Sequence, residues 1–174
     1  MSLATALFLL LRVVHVLLAA VWLGATAFTA LFLMPAAEDA GPASGPIMGA
    51  LVRRKLPAFM AALGGTVVLT GFYLYWRFTG GFDPALSGTR AAMVFGTGGV
   101  SGIVALIIGG VVVSRNSKQV ADAAARLPTV AEGPARAVLV GDMNAARRKA
   151  AAGARIVLVL QAIALAAMAI GHYV

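Results

Sequence analysis

The stretch VVHVLLAAVWLGATAFTALFLM, residues 13–34, decides the fold class of this chain. Its 22 residues are apolar around the whole helical circumference, and a helix that crosses a bilayer core of about 30 Å needs roughly 20 residues. A surface helix of a soluble domain would carry a polar face, which this stretch lacks. We therefore predict a membrane-spanning helix that ends at Pro35.

Three further segments have the same character, and they cover residues 56–78, 91–114 and 156–174. None of the four alternates between polar and apolar residues, so a transmembrane β-barrel is excluded. The prediction is a single-domain, all-α integral membrane protein, folded as an up-down four-helix bundle.

The composition agrees with this class. Hydrophobic residues make up 61% of the chain and charged residues 11%, against about 25% charged residues in soluble domains. The mean hydropathy is +0.94, which excludes an ordinary soluble enzyme and a disordered chain. The chain has no cysteine, which excludes disulfides, thiolate metal sites and cysteine nucleophiles.

The distribution of Lys and Arg predicts the topology. Of the 14 such residues, 11 lie in the connections between the first and second spans and between the third and fourth. The positive-inside rule then places both connections in the cytoplasm and both termini in the periplasm of an inner membrane. We expect the first span to be a permanent helix, because its positive residue, Arg12, does not lie in the short n-region of a signal peptide.

The connection at 115–155 is long and basic. Pro128 and Pro134 lie near its middle, so we predict a helical hairpin: the third span continues to about Leu127, and a new helix starts near Pro134 and enters the fourth span. Its cations are expected to bind anionic lipid headgroups. Nucleic acid is not an expected partner, because no aromatic residues are interleaved with the cations.

Small residues predict close helix packing. Gly98 and Gly102 form a GxxxG pair in the third span, which serves either the bundle itself or a homo-oligomer. Gly64, Gly65 and Gly24 are expected to allow similar close approach in the other spans.

Two histidines are the candidate ligands. If Arg12 marks the outer end of the first span, His15 lies one turn below it, and His172 lies at a similar depth on the fourth span. First and last helices are neighbours in an up-down bundle, so His15 and His172 would then face a common site with Met168 one turn inward. Histidine with methionine suits Cu(I) or haem iron.

Two alternatives stay open for these residues. If the first span starts at Leu3 instead, His15 lies near mid-membrane and His172 does not reach it. Each histidine is also explained by ordinary hydrogen bonding, and Met168 by packing. A stripe of His15, Leu18, Trp22, Thr26 and Thr29 follows helical spacing and should face the bundle interior. Gln161 is expected to be a polar contact between helices.

The stretch His15-Val-Leu-Leu-Ala-Ala-Val-Trp22-Leu-Gly24 resembles the first-helix pattern of the copper-resistance protein D (CopD) family of small membrane proteins. The basic run at 147–155, followed by a last helix that ends in Gly171-His172-Tyr173, is similar as well. The resemblance implies copper handling or a b-type haem near the outer face. It also implies that His15 is the first-helix ligand, with Trp22 and Gly24 shaping its surroundings.

The leading hypothesis is a small membrane redox or metal-handling protein. It would bind one haem b or copper near the periplasmic face, using His15, His172 and Met168, and would exchange electrons with quinone in the bilayer. The alternative is a non-catalytic membrane subunit or scaffold, held in a larger complex by its glycine-rich face and its basic hairpin.

Overall fold

The computed structural model describes residues 2–174, and all regular structure among them is helical. The first helix, α1, covers Leu3–Phe28 and is capped by the Ser2 hydroxyl, which accepts a hydrogen bond from the Thr5 amide. It continues without a break through a π-helical turn at Thr29–Leu33 into α2, Met34–Asp39.

This first helix does not end at Pro35, where the sequence predicted its end. A proline ring in a regular α-helix clashes with the carbonyl four residues earlier. Here the amide of Met34 bonds to the carbonyl of Thr29, five residues back, so the turn before Pro35 is wider than an α-turn. We attribute the accommodation of the proline to this π-helical turn.

The second long helix, α4, covers Leu56–Phe78 and is preceded by the short helix α3, Gly45–Arg53. Lys55 joins the two in the left-handed conformation, with φ of 59°. A link with the single helical turn α5, Pro84–Ser87, follows α4.

The third long helix begins as α6, Arg90–Ile108, passes through a second π-helical turn at Gly109–Ser114, and continues as α7, Arg115–Arg126. The last helix, α8, runs unbroken over Pro134–Ile170. These bounds agree with the predicted hairpin. Arg136 stabilises the turn between the two helices of the hairpin, because its Nη1 donates hydrogen bonds to the carbonyls of Leu127 and Val130.

Four helices are long and apolar enough to cross a membrane, which confirms the predicted all-helical class with four long apolar helices. Their outward faces expose large apolar side chains, such as Leu17 at 61%, Leu69 at 72% and Val159 at 59%. Inside, each long helix contributes to one buried cluster, which contains Trp22, Leu63, Val67, Ala105 and Val157.

Aromatic rings seated over glycines hold neighbouring helices together. A Cβ at position 64 would lie 2.7 Å from Cζ2 of Trp22, and a Cβ at position 71 would lie 2.8 Å from Cε1 of His15. The contact pairs are therefore 22 with 64 and 15 with 71, so α1 and α4 run antiparallel.

The same device recurs at the other helix contacts. A Cβ at Gly96 would lie 3.2 Å from the Tyr75 hydroxyl, and one at Gly171 would lie 2.5 Å from Cε1 of Phe95. Glycine thus provides the space for a ring on each occasion.

The two glycines of the GxxxG pair in α6 have different surroundings. Gly98 is buried against α8, where a Cβ would lie 3.0 Å from Cβ of Ala167. No atom lies within 4 Å of a Cβ at Gly102, nor of one at Gly24 or Gly65. Within this chain, Gly98 and Gly64 therefore provide close approach, and the other three glycines do not.

Candidate functional site

His15 is half-buried on α1 and is held by α4. Its Nδ1 lies 3.0 Å from the carbonyl oxygen of Val67 and 3.0 Å from Oγ1 of Thr70. The carbonyl can only accept, and the Thr70 hydroxyl already donates to the Thr66 carbonyl at 2.7 Å. The proton of the ring therefore belongs on Nδ1, and Nε2 keeps the lone pair that a metal ligand requires.

Gly71 makes the room for this ring. The Cβ that any other residue would bring to position 71 lies 2.8 Å from Cε1 and 3.4 Å from Nδ1 of His15. The hydrogen bonds and the missing side chain together fix the direction of the imidazole, which is the role of supporting residues around histidine ligands.

The depth of His15 follows from its partners. Val67 is the central residue of α4, Leu56–Phe78, and Gly71 lies about 10 Å before the end of that helix at 1.5 Å per residue. His15 therefore packs against residues 67–71, in the second half of α4. Arg12, one helical turn before His15, contacts His172 just beyond the end of α8.

His172 has a different environment. It lies just beyond the end of α8 and is exposed, and its Nε2 lies 2.9 Å from Nη2 of Arg12. A guanidinium only donates, so the Nε2 lone pair accepts this hydrogen bond. The Phe95 ring packs edge-on against the imidazole, with 5.0 Å between ring centroids.

The structure therefore gives the two histidines separate partners: Val67 and Thr70 for His15, and Arg12 for His172. Met168 also has a packing position, because its Cε lies 3.1 Å from where a Cβ of Gly98 would be. Among residues 2–174, no group of three or more His, Asp or Glu side chains forms a metal cluster.

The predicted interior stripe is present below His15. Trp22 and Thr26 are buried, at 6% and 5% exposure. The Thr26 hydroxyl donates to the Trp22 carbonyl at 2.9 Å, and the Thr29 hydroxyl to the Ala25 carbonyl at 2.7 Å. Gly24 lies on the outer face of α1, away from His15.

Gln161 departs from its expected role as a polar contact between helices. It is 5% exposed, and neither its amide oxygen nor its amide nitrogen has a hydrogen-bond partner in the described part of the chain. Leaving such a group unpaired costs about 1–3 kcal/mol. Its position one turn from Val157 places this amide next to the central apolar cluster. The sequence revealed a buried polar residue here, but its lack of a partner depends on the packing.

The donor atoms fit a haem better than a copper ion. A haem would require one axial imidazole, and Nε2 of His15 is the nitrogen with a free lone pair for that role. A Cu(I) site needs several soft donors together, whereas Met168 packs between α6 and α8 and His172 accepts from Arg12.

Comparisons with protein-family models, with curated proteins and with solved structures found no match to this chain. The resemblance to the CopD family, based on residues 15–24, stays a prediction.

Proposed function

We propose that this chain is a small inner-membrane redox or metal-handling protein that binds one haem b, or less favourably copper, through Nε2 of His15. The observation that supports the proposal is the anchored imidazole. Val67 and Thr70 hold the proton on Nδ1, Gly71 provides the space, and Nε2 is left with its lone pair.

The proposal places the four long helices in the bilayer as an up-down bundle. Support comes from their exposed apolar faces and from the antiparallel pairing of α1 with α4. The concentration of Lys and Arg in two connections favours periplasmic termini. His15 then lies within the hydrocarbon region, where an ionisable side chain is costly unless it has a function or a partner.

In this proposal the chain's residues hold and orient the ligand. The Val67 carbonyl and the Thr70 hydroxyl fix the tautomer of His15, and Trp22, seven residues further along α1, packs in the central apolar cluster. A bound haem would supply one-electron chemistry, and quinone in the bilayer is the fitting electron partner. Ligation by His172 as well requires that Arg12 gives up its hydrogen bond to Nε2.

The test is the cofactor content of the full-length protein, purified in mild detergent after expression with added haem precursor or copper. The proposal predicts a Soret band whose absorbance corresponds to about one haem per chain. His15→Ala should abolish this band. Thr70→Val keeps the ligand but removes one support, so the cofactor should bind about 10–100-fold more weakly.

The matched control is His172→Ala, which removes the other histidine of the chain. Unchanged haem content in this variant indicates a single axial histidine, and loss of haem indicates ligation by both. If wild-type protein contains neither haem nor copper after loading, the proposal fails.

The second candidate is a non-catalytic membrane subunit or scaffold. The Arg12–His172 hydrogen bond favours it, because it gives His172 a structural role at the end of α8. Under this alternative, His15→Gln should leave assembly into the larger complex unchanged, whereas Arg12→Ala should weaken the bundle.

A further inference from the structure

A cavity of about 150 Å³ lies in the bundle on the other side of the Trp22 layer from His15. It forms where α1 and α6 leave α-helical geometry, because the π-helical turns at Thr29–Leu33 and Gly109–Ser114 both contribute to its wall. Gly109 and Gly110 widen it further, since no atom lies within 4 Å of the Cβ positions at either residue. Such π-helical turns are frequent at functional sites.

The wall of this cavity is apolar. Trp22, Met48, Met60 and Val113 contribute to it. The hydroxyls of Thr26 and Thr29, which also line it, donate to carbonyls of their own helix. An apolar cavity of this volume accepts a hydrocarbon group about the size of benzene. A quinone ring would require hydrogen-bond donors for both of its carbonyls. The hydroxyls of Thr26 and Thr29 are already committed, so hydroxyl donors remain only at Ser114 and Ser117.

Cations surround the lining residues. Arg53, Arg54 and Lys55 lie between Val52 and Leu56, which both line the cavity. On the third long helix, Arg115 and Lys118 directly follow Ser114 and Ser117, which also line it. All five cations are exposed. The acidic residues on the flanking segment α2 are Glu38 and Asp39, so positive charge is in excess at this end.

From this combination we infer that the cavity binds one anionic phospholipid. A segment of one acyl chain, about the size of benzene, occupies the apolar space, and the phosphate lies against the cations of the α3–α4 junction and of α7. The hydroxyls of Ser114 and Ser117 can donate to phosphate oxygens. The inference rests on the membrane placement proposed above, but it requires no haem and no copper. It also differs from a general attraction of basic residues to anionic lipid, because it includes a space for the chain.

The experiment measures lipid binding to the delipidated full-length protein in neutral detergent, by native mass spectrometry and by the shift in thermal stability. The probes are phosphatidylglycerol, phosphatidylcholine of the same acyl chains, inorganic phosphate and a short-tailed ubiquinone. We expect phosphatidylglycerol to bind most tightly and to raise the melting temperature, with little effect of inorganic phosphate.

Two variants separate the contribution of the acyl chain from that of the headgroup. Gly109→Leu fills the cavity and should weaken phosphatidylglycerol binding at least tenfold, whereas Gly102→Leu, on the same helix but outside the cavity, should not. Arg54→Gln with Arg115→Gln alters only exposed cations and should weaken it roughly 25-fold, since each cation near a lipid surface contributes about 1 kcal/mol. This second variant keeps the test valid if Gly109→Leu fails to fold.

Several results would overturn the inference. Equal binding of phosphatidylcholine would show that the cations do not contribute to binding. Equally tight binding of inorganic phosphate would show that the acyl chain does not contribute. Tighter binding of the ubiquinone identifies a different ligand. Absorbance of the same samples reports any haem, and carbonate extraction of membranes reports insertion, so failure of the function proposed above is recognised separately.

Discussion

Replacing Gly64 with alanine should destabilise the bundle, although alanine is the better helix former. The new Cβ would lie 2.7 Å from Cζ2 and 2.9 Å from Cε2 of Trp22, and 2.9 Å from Cδ1 of Leu106. Trp22 is 6% exposed and packs in the central cluster, so it has little room to retreat. Overpacking of this kind costs about 1–3 kcal/mol, whereas the gain in helix propensity is at most about 1 kcal/mol.

The adjacent Gly65 is the matched control, because no atom lies within 4 Å of its Cβ position. Gly65→Ala should be neutral or stabilising, so the two variants should differ in free energy of unfolding by about 1–3 kcal/mol. Unfolding by titration with sodium dodecyl sulfate in mixed micelles, followed by circular dichroism, measures the difference. Equal stability of the two variants would refute the ring-over-glycine contact.

Three further predictions concern the candidate site and its surroundings. Gly71→Ala should displace the His15 ring and, in haem-loaded protein, shift or abolish the Soret band while helicity is retained; an unchanged spectrum would argue against this seat. Gln161→Leu removes two unpaired polar atoms and should stabilise the bundle by about 1–3 kcal/mol in the same titration; destabilisation would show that the amide has a polar partner. Arg12→Ala should speed amide hydrogen exchange in the last turns of α8, because His172 loses its partner; unchanged exchange there would show that this contact is not stabilising.

The number and class of the helices could be predicted from the sequence because hydropathy is a local property. The bounds of the hairpin were also accessible, since Pro128 and Pro134 interrupt a helical pattern on the scale of a few residues. The end of the first helix was not, because a π-helical turn leaves no signal in the residue types around Pro35. A proline rule written for α-helices fails where the preceding turn is wider.

The candidate site depends on contacts between distant residues, and these were only partly accessible. The sequence identified His15 as a candidate, but its depth is set by the pairing of α1 with α4, which spacing within α1 does not reveal. The hydrogen bond between Arg12 and His172 joins positions 160 residues apart. Nor could sequence spacing show that Gly64 meets a ring whereas Gly65 meets nothing.

The two rings of α1 also align α1 on α4 lengthwise. His15 and Trp22 are seven residues apart, and so are Gly71 and Gly64, which are the one pair of glycines at that spacing in α4. Sliding α4 by one helical turn in either direction would place both rings against side chains, such as Val68 and Tyr75, or Met60 and Val67. The two ring–glycine contacts together therefore select a single register between these helices. That register determines which residues of α4 lie level with His15.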